Sequence, residues 1–143
     1  MPLVGKRKEI IDEARTWLGT PFGPGYVKGV SVHCLGLVVG VLENCGLPEP
    51  ANRFRPFMGH VVPIEKHVMI TELNDFFPER SPHNYRIPGD IMLFNFGNGP
   101  KHCAFVSTNG CIIHSHNIHG KCVEHLLPPS WRPVVIYRLP IEN

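Results

Sequence analysis

Residues 31–46 read SVHCLGLVVGVLENCG. A polar approach gives way at Cys34 to an apolar run in which Leu37, Val38, Val41 and Leu42 fall on one helical face. Gly46 stands where a helix places its C′ glycine. The stretch predicts a helix that opens near Cys34, closes at Gly46 and turns its apolar side inward. A structural cysteine would more naturally lie inside such a run. At a helix start, unpaired N–H groups and the positive end of the dipole favour an anion and lower a thiol pKa. The same donors can stabilise an oxyanion on an attacked carbonyl. Cys34 is therefore a candidate nucleophile, with a small core residue as the plainer alternative.

Upstream, KRKEIIDEARTWL (residues 6–18) sets Ile10, Ile11, Ala14, Trp17 and Leu18 on one helical face and charges on the other. Gly19, Pro21, Gly23, Pro24 and Gly25 then break the chain into a loop that reaches about Ser31. Downstream, residues 47–62 are proline-rich and without period, which predicts a surface loop, and a third helix is expected over about Ile64–Phe76. PERSPHNYRIPGD (78–90) is a further loop, in which Asp90 shapes the turn before a strand. The pattern then changes. DIMLFNF, HCAFVS, CIIHSH, KCVEHL and VVIYRL are short β-branched and aromatic runs separated by turns. Asn109-Gly110 is a strong hairpin signal and His119-Gly120 a weaker one. Helices first and a meandering antiparallel sheet second make the fold class α+β, with the N-terminal helices packed on the C-terminal sheet. Residues 1–143 are expected to form a single catalytic domain.

Apolar residues make up 43% and charged residues 18% of the chain, as in an ordinary soluble protein, and the formal charge is only +2. No basic run with interleaved aromatics points to nucleic acid. The first residues lack the apolar core of a signal peptide, and no run approaches the roughly 20 residues of a membrane helix. Cytoplasmic synthesis without membrane insertion is expected, with the five cysteines as reduced thiols.

A thiolate nucleophile needs a base, and the base an orienting partner. His102, in GPKHCAFVS, follows a Gly/Pro loop at the start of a strand. His114, in CIIHSH, lies on the next strand across the Asn-Gly turn, so pairing can bring it beside His102 to fix that ring. Taken singly, each reads equally as a half-exposed strand histidine. A second constellation shares these residues: His114, His116, His119, Cys122 and His125 are zinc-binding types. The absence of a Cys-x-x-Cys pair and the unfamiliar spacing favour surface histidines instead, so no metal is expected. Cys45, Cys103, Cys111 and Cys122, in apolar or strand contexts, read as structural.

In their order and spacing, ARTWLGTPF, HCLGLVVGV, IPGDIMLF, KHCAFVS and CIIHSH resemble the NlpC-type cell-wall cysteine peptidases, a papain-like family. CLGLV, KHCAFV and PPSWRP are similar to the branch encoded with phage tails and gene-transfer agents. The resemblance runs from about residue 9 to 139 and is weakest over 47–85. It implies an α+β fold with the nucleophile at a helix N-terminus on an antiparallel sheet. By the same resemblance Cys34 is the nucleophile, His102 the general base and then acid, and His114 the residue that orients it. The implied reaction is amide hydrolysis in the peptidoglycan stem peptide, commonly between D-γ-glutamate and a diamino acid, without a cofactor. Phage-like tail proteins are the implied delivery partners. Three positions depart from or extend the family pattern around the oxyanion and substrate pocket. His33 replaces an aspartate and Phe22 a tyrosine, and Tyr26 is the nearby phenol that could substitute for the latter. An acyltransferase or amidase using the same thiolate, and a tail structural protein with a vestigial site, are the competing expectations.

Overall fold

The computed structural model describes residues 5–58, 68–81, 85–97 and 99–141. Helix α1 (Gly5–Arg15) buries Ile10, Ile11 and Ala14, and Trp17 follows inward from the turn that ends it. Leu18 is exposed, because the chain has already left the helix at Arg15. The charged face is not wholly solvated either. Arg7 is buried and donates to the Pro88 and Leu139 carbonyls.

Helix α2 (Cys34–Asn44) starts and stops where the apolar run predicts. It buries every residue from Leu35 to Leu42, and Gly46 follows its C-cap at φ +82°. Gly36 and Gly40 lie one turn apart on it. A Cβ at position 36 would stand 2.3 Å from the Gly25 carbonyl oxygen, and one at 40 would stand 2.6 Å from the Trp17 ring. Only glycine at these two positions lets the approach segment and Trp17 lie directly on α2.

The expected surface loop at 47–62 instead holds α3 (Glu49–Phe54) and a 3₁₀ turn (Arg55–Phe57). Proline is tolerated in the first helical turn, so Pro48 and Pro50 open the helix rather than forbid it. Its anchor is Phe54, fully buried with its ring 5.4 Å from that of Phe76. Helix α4 (Val68–Phe76) supplies Phe76. Residues 64–67 of the expected third helix, like 59–62 of the expected loop, lie outside the described residues.

Two short strands, β1 (Tyr26–Val27) and β2 (Ser31–Val32), pair within the predicted first loop. The main sheet comprises β3 (Ile91–Asn95), β4 (Pro100–Val106), β5 (Cys111–His116), β6 (Lys121–Leu126) and β7 (Pro133–Tyr137). All its pairings are antiparallel and the order is β6-β5-β4-β3-β7. The meander holds from β3 to β6, after which the chain returns to pair β7 with β3. Asn109 and Gly110, both at positive φ, make the β4–β5 turn as expected.

Alternation along the strands gives the sheet two apolar faces. Ile91, Leu93, Cys103, Phe105, Ile113 and Tyr137 join the core under the helices. Met92, Phe94, Ala104, Val106, Ile112 and Ile136 line the outer face, where Leu127 and Trp131 pack against them. Asp90 does shape its turn, accepting from the Ile87 N–H. It is also fully buried against Arg138, which grips both carboxylate oxygens, and Arg7 at 3.6 Å. Among the described residues no helix is long and apolar enough to cross a membrane.

Candidate active site

The segment that delivers Cys34 is built into the sheet. Gly19 N–H donates to the Cys122 carbonyl, Cys122 N–H to Thr20, and Phe22 N–H to Gly120, each at 2.9 Å. Val32, two residues before the cysteine, accepts from the Gly23 N–H and from the Ser115 hydroxyl of β5. His33 is extended (φ −101°, ψ 179°), and its Nδ1 accepts the Gly36 N–H at 2.9 Å. It is the N-cap of α2, meeting a donor the helix cannot satisfy itself. His33 thus caps the helix, a role that requires Nδ1 to be unprotonated. Tyr26 lies half-buried over Gly36 and Gly40 and makes no hydrogen bond to Cys34 among the described residues. Phe22 is half-buried and bridges Val32 through its backbone.

The ladder between β4 and β5 pairs only Phe105 with Ile113 and Val106 with Ile112. Continued, that register would set His102 opposite His116 and Ala104 opposite His114, but the strands part before reaching them. Cys34 meets β4 at this split, half-buried, with its Sγ 3.6 Å from the Lys101 carbonyl oxygen. A hydrogen bond from the Cys103 thiol holds the Cys34 thiol well below its ordinary pKa, against the opposing pull of burial, and a hydrogen bond and charge from His102 act in the same direction. Cys103 shifts the opposite way, because it is the buried donor of that pair. Cys103 is thus more than core filler, as no feature of KHCAFVS indicates. Cys45 and Cys122 are pushed by burial to about 11 and about 12.

Across the split, His102 Nε2 lies 2.6 Å from His114 Nδ1. His114 Nε2 lies 2.8 Å from His125 Nε2, and His125 Nδ1 lies 2.8 Å from the Leu126 carbonyl oxygen. A carbonyl can only accept, so it fixes the direction of the whole chain for neutral rings. His125 donates from Nδ1 and accepts on Nε2, His114 donates from Nε2 and accepts on Nδ1, and His102 donates from Nε2. The nitrogen left to face the thiol is His102 Nδ1, with its lone pair free to accept a proton. Adjacent strands pair His102 with His114 from the sequence alone, whereas His125, there only one of several zinc-binding residue types, ends this chain through the β5–β6 register, Ile112 opposite His125.

His114 is fully buried, and its pKa falls to about 2 through desolvation first and then repulsion from His102, His125, His116 and His119. His116 falls to about 4 for the same two reasons. Cys122 takes no part in this cluster, because it packs in the core on the other side of β6. Ring contacts of Phe96 with His102 and of Trp131 with His114, His116 and His125 wall the cluster with aromatic surface.

No family model and no curated protein matches this sequence. Solved structures do match. The peptidoglycan hydrolase RipB from Mycobacterium tuberculosis superposes with a TM-score of 0.59 at 17% identity, over 93% of this chain and 64% of that one. The NlpC/p60 domain of the peptidoglycan hydrolase SagA gives 0.58 at 16%, over 95% of this chain and 100% of that domain. NlpC1 from Trichomonas vaginalis gives 0.59 at 16%, over 96% of this chain and 45% of its own. The chain thus spans less than two thirds of RipB and of NlpC1. At these identities the likeness concerns architecture: four helices and a five-stranded antiparallel sheet in the papain-like α+β fold of the NlpC/P60 peptidoglycan hydrolases.

Proposed function

We propose that this chain is a cell-wall cysteine peptidase that hydrolyses an amide bond of the peptidoglycan stem peptide, between D-γ-glutamate and a diamino acid. The observation that carries the reading is Cys34 at the N-terminus of α2, its thiol held below the ordinary pKa with His102 among the causes, and His102 Nε2 2.6 Å from His114 Nδ1. Two of the similar structures described above, RipB and the SagA domain, are named as peptidoglycan hydrolases, which supports the choice of substrate. The Cys34 sulfur attacks the amide carbonyl carbon, and charge collects on the carbonyl oxygen near the start of the helix. His102, carrying the thiol proton on Nδ1, gives it to the departing amine nitrogen as the carbon–nitrogen bond breaks. A water then loses a proton to His102 and attacks the thioester, freeing the carboxylate and restoring the thiol. His114 orients His102 throughout.

Delivery on a phage-like tail particle is part of the proposal and rests on CLGLV, KHCAFV and PPSWRP. An intact Cys-His-His run weighs against a purely structural tail role. The test is mass spectrometry of purified muropeptides incubated with the chain and with Cys34→Ala. New free amine and carboxylate products from the unaltered chain alone support the reading. Intact muropeptides in both would overturn it, and transfer of the acyl group to an added amine without hydrolysis would replace it with the transferase.

A further inference from the structure

On the outer face of the sheet, one ring nitrogen each from His114, His119 and His125 lies within 4.8 Å of the other two. We propose that these three residues bind a divalent cation of the zinc class, and that its binding switches off the hydrolase by reversing the hydrogen bonds on which His102 depends. The switching half rests on the function proposed above; the site itself does not.

Imidazole nitrogen is a preferred ligand of zinc, at about 2.0–2.1 Å, which sets nitrogens in a tetrahedral site about 3.4 Å apart. The His114–His125 contact of 2.8 Å needs to open by only about half an ångström for this. His119 sits on the exposed turn between β5 and β6, so its ring can follow. Outer-shell partners are already in place. His125 Nδ1 donates to the Leu126 carbonyl and leaves Nε2 for the metal, and His114 Nδ1 is engaged by His102. Three protein ligands leave a fourth position for water. His116, buried with an Nδ1 that makes no hydrogen bond among the described residues, is a further imidazole beside the cluster, its ring 5.6 Å from that of His119.

A metal on His114 Nε2 displaces the proton from that nitrogen, so a neutral His114 carries it on Nδ1 instead. His114 then donates to His102, and His102 must accept on Nε2 and carry its own single proton on Nδ1. The neutral rings hold one proton each before and after. In the reversed chain, however, His102 presents a donor to Cys34 and cannot take the thiol proton without becoming a cation that opposes both the His114 N–H and the metal.

The experiment titrates the chelator-treated chain with zinc(II) against a colorimetric chelator, and with cobalt(II) by visible absorption. Variants are His119→Ala, which leaves the hydrogen-bonded chain in place, and Cys34→Ala. We expect one ion per chain, no thiolate-to-cobalt charge-transfer band and undiminished affinity in Cys34→Ala. Affinity in His119→Ala should fall by more than the about 10- to 100-fold that loss of an outer-shell partner causes. No binding, undiminished binding in His119→Ala, or binding lost in Cys34→Ala would each overturn the site. Muropeptide hydrolysis should fall on zinc addition, recover with chelator, and be far less zinc-sensitive in His119→Ala. Undiminished hydrolysis at full occupancy would overturn the switch. Zinc held through His119 by a chain that hydrolyses nothing even in chelator would uphold the site and remove the peptidase reading instead.

Discussion

Replacing His125 tests whether the catalytic array extends past His114. In His125→Ala the buried Nε2–H of His114 loses its acceptor, which sits at 2.8 Å in the intact chain. The neutral bond alone is worth about 1 kcal/mol, but during the reaction His102 becomes a cation and polarises the chain behind it. A hydrogen bond serving a charged group is worth about 1.5–3 kcal/mol, so kcat/KM should fall roughly 10- to 150-fold. His125→Gln supplies a side-chain carbonyl to the same N–H and should recover much of the loss, which a merely structural role would not require. The assay is kcat/KM on a purified muropeptide in the presence of chelator, with thermal unfolding of each variant run beside it. A stably folded His125→Ala with unchanged kcat/KM would show that the array ends at His114 and that the Leu126 carbonyl does not set its direction.

Further expectations concern the thiol pair, the helix cap, the buried ion cluster and acid. Cys34 should be alkylated at lower pH than Cys45 or Cys122, and Cys103→Ala should move its alkylation midpoint upward while Cys103→Ser, which keeps a donor, moves it less. His33→Ala removes the acceptor for the Gly36 N–H and should cost about 1 kcal/mol, or roughly 2–4 °C in Tm, with His33→Asn restoring the cap. Asp90→Asn leaves Arg7 and Arg138 without their buried carboxylate and should destabilise the fold by about 3–5 kcal/mol in urea unfolding. His114 and His116 stay neutral in the fold down to about 2 and about 4, whereas in the unfolded chain they protonate near 6.5. The unfolded state therefore binds more protons as pH drops from about 6.5 toward 4, and stability is lost over that window. From pH 7 to 5 the loss is about 4 kcal/mol, measurable by urea unfolding with chelator present.

What was legible in the sequence followed from periodicity and turn chemistry. Residues 34–46 carry one uninterrupted helical pattern with a C′ glycine, and α2 occupies Cys34–Asn44. Strands β5 and β6 match CIIHSH and KCVEHL residue for residue, because each is bounded by a turn with a positive-φ glycine. The misreadings share a different cause, in that long-range contacts overrode local signals. Pro48 and Pro50 look like helix breakers until Phe54 is seen buried against Phe76. The Gly/Pro segment before Ser31 looks like a free loop until Thr20 and Phe22 are seen bonded to the β5–β6 hairpin. In the site, His102 and His114 could be paired from their positions on adjacent strands. Neither the capping of α2 by His33 nor the contact of Cys103 with Cys34 has a local signature. Both depend on how the chain reaches α2 and on where β4 separates from β5.

The depressed basicity of His114 bears directly on the proposed chemistry. Once Cys34 has given up its proton, that proton must stay at His102 until the amine leaves. A strongly basic third residue could draw the proton away from the scissile bond. His114 cannot, since burial and four neighbouring imidazoles hold it to about 2. Its Nδ1 can still accept a hydrogen bond from a charged His102, which stabilises the cation without sharing its proton. The orientation of that lone pair in turn depends on His114 donating toward His125. Under the proposed mechanism, crowding five histidines on one sheet face would serve the reaction by electrostatic exclusion. Charge on the buried rings of His114 and His116 is costly, which disfavours passing the proton on from His102.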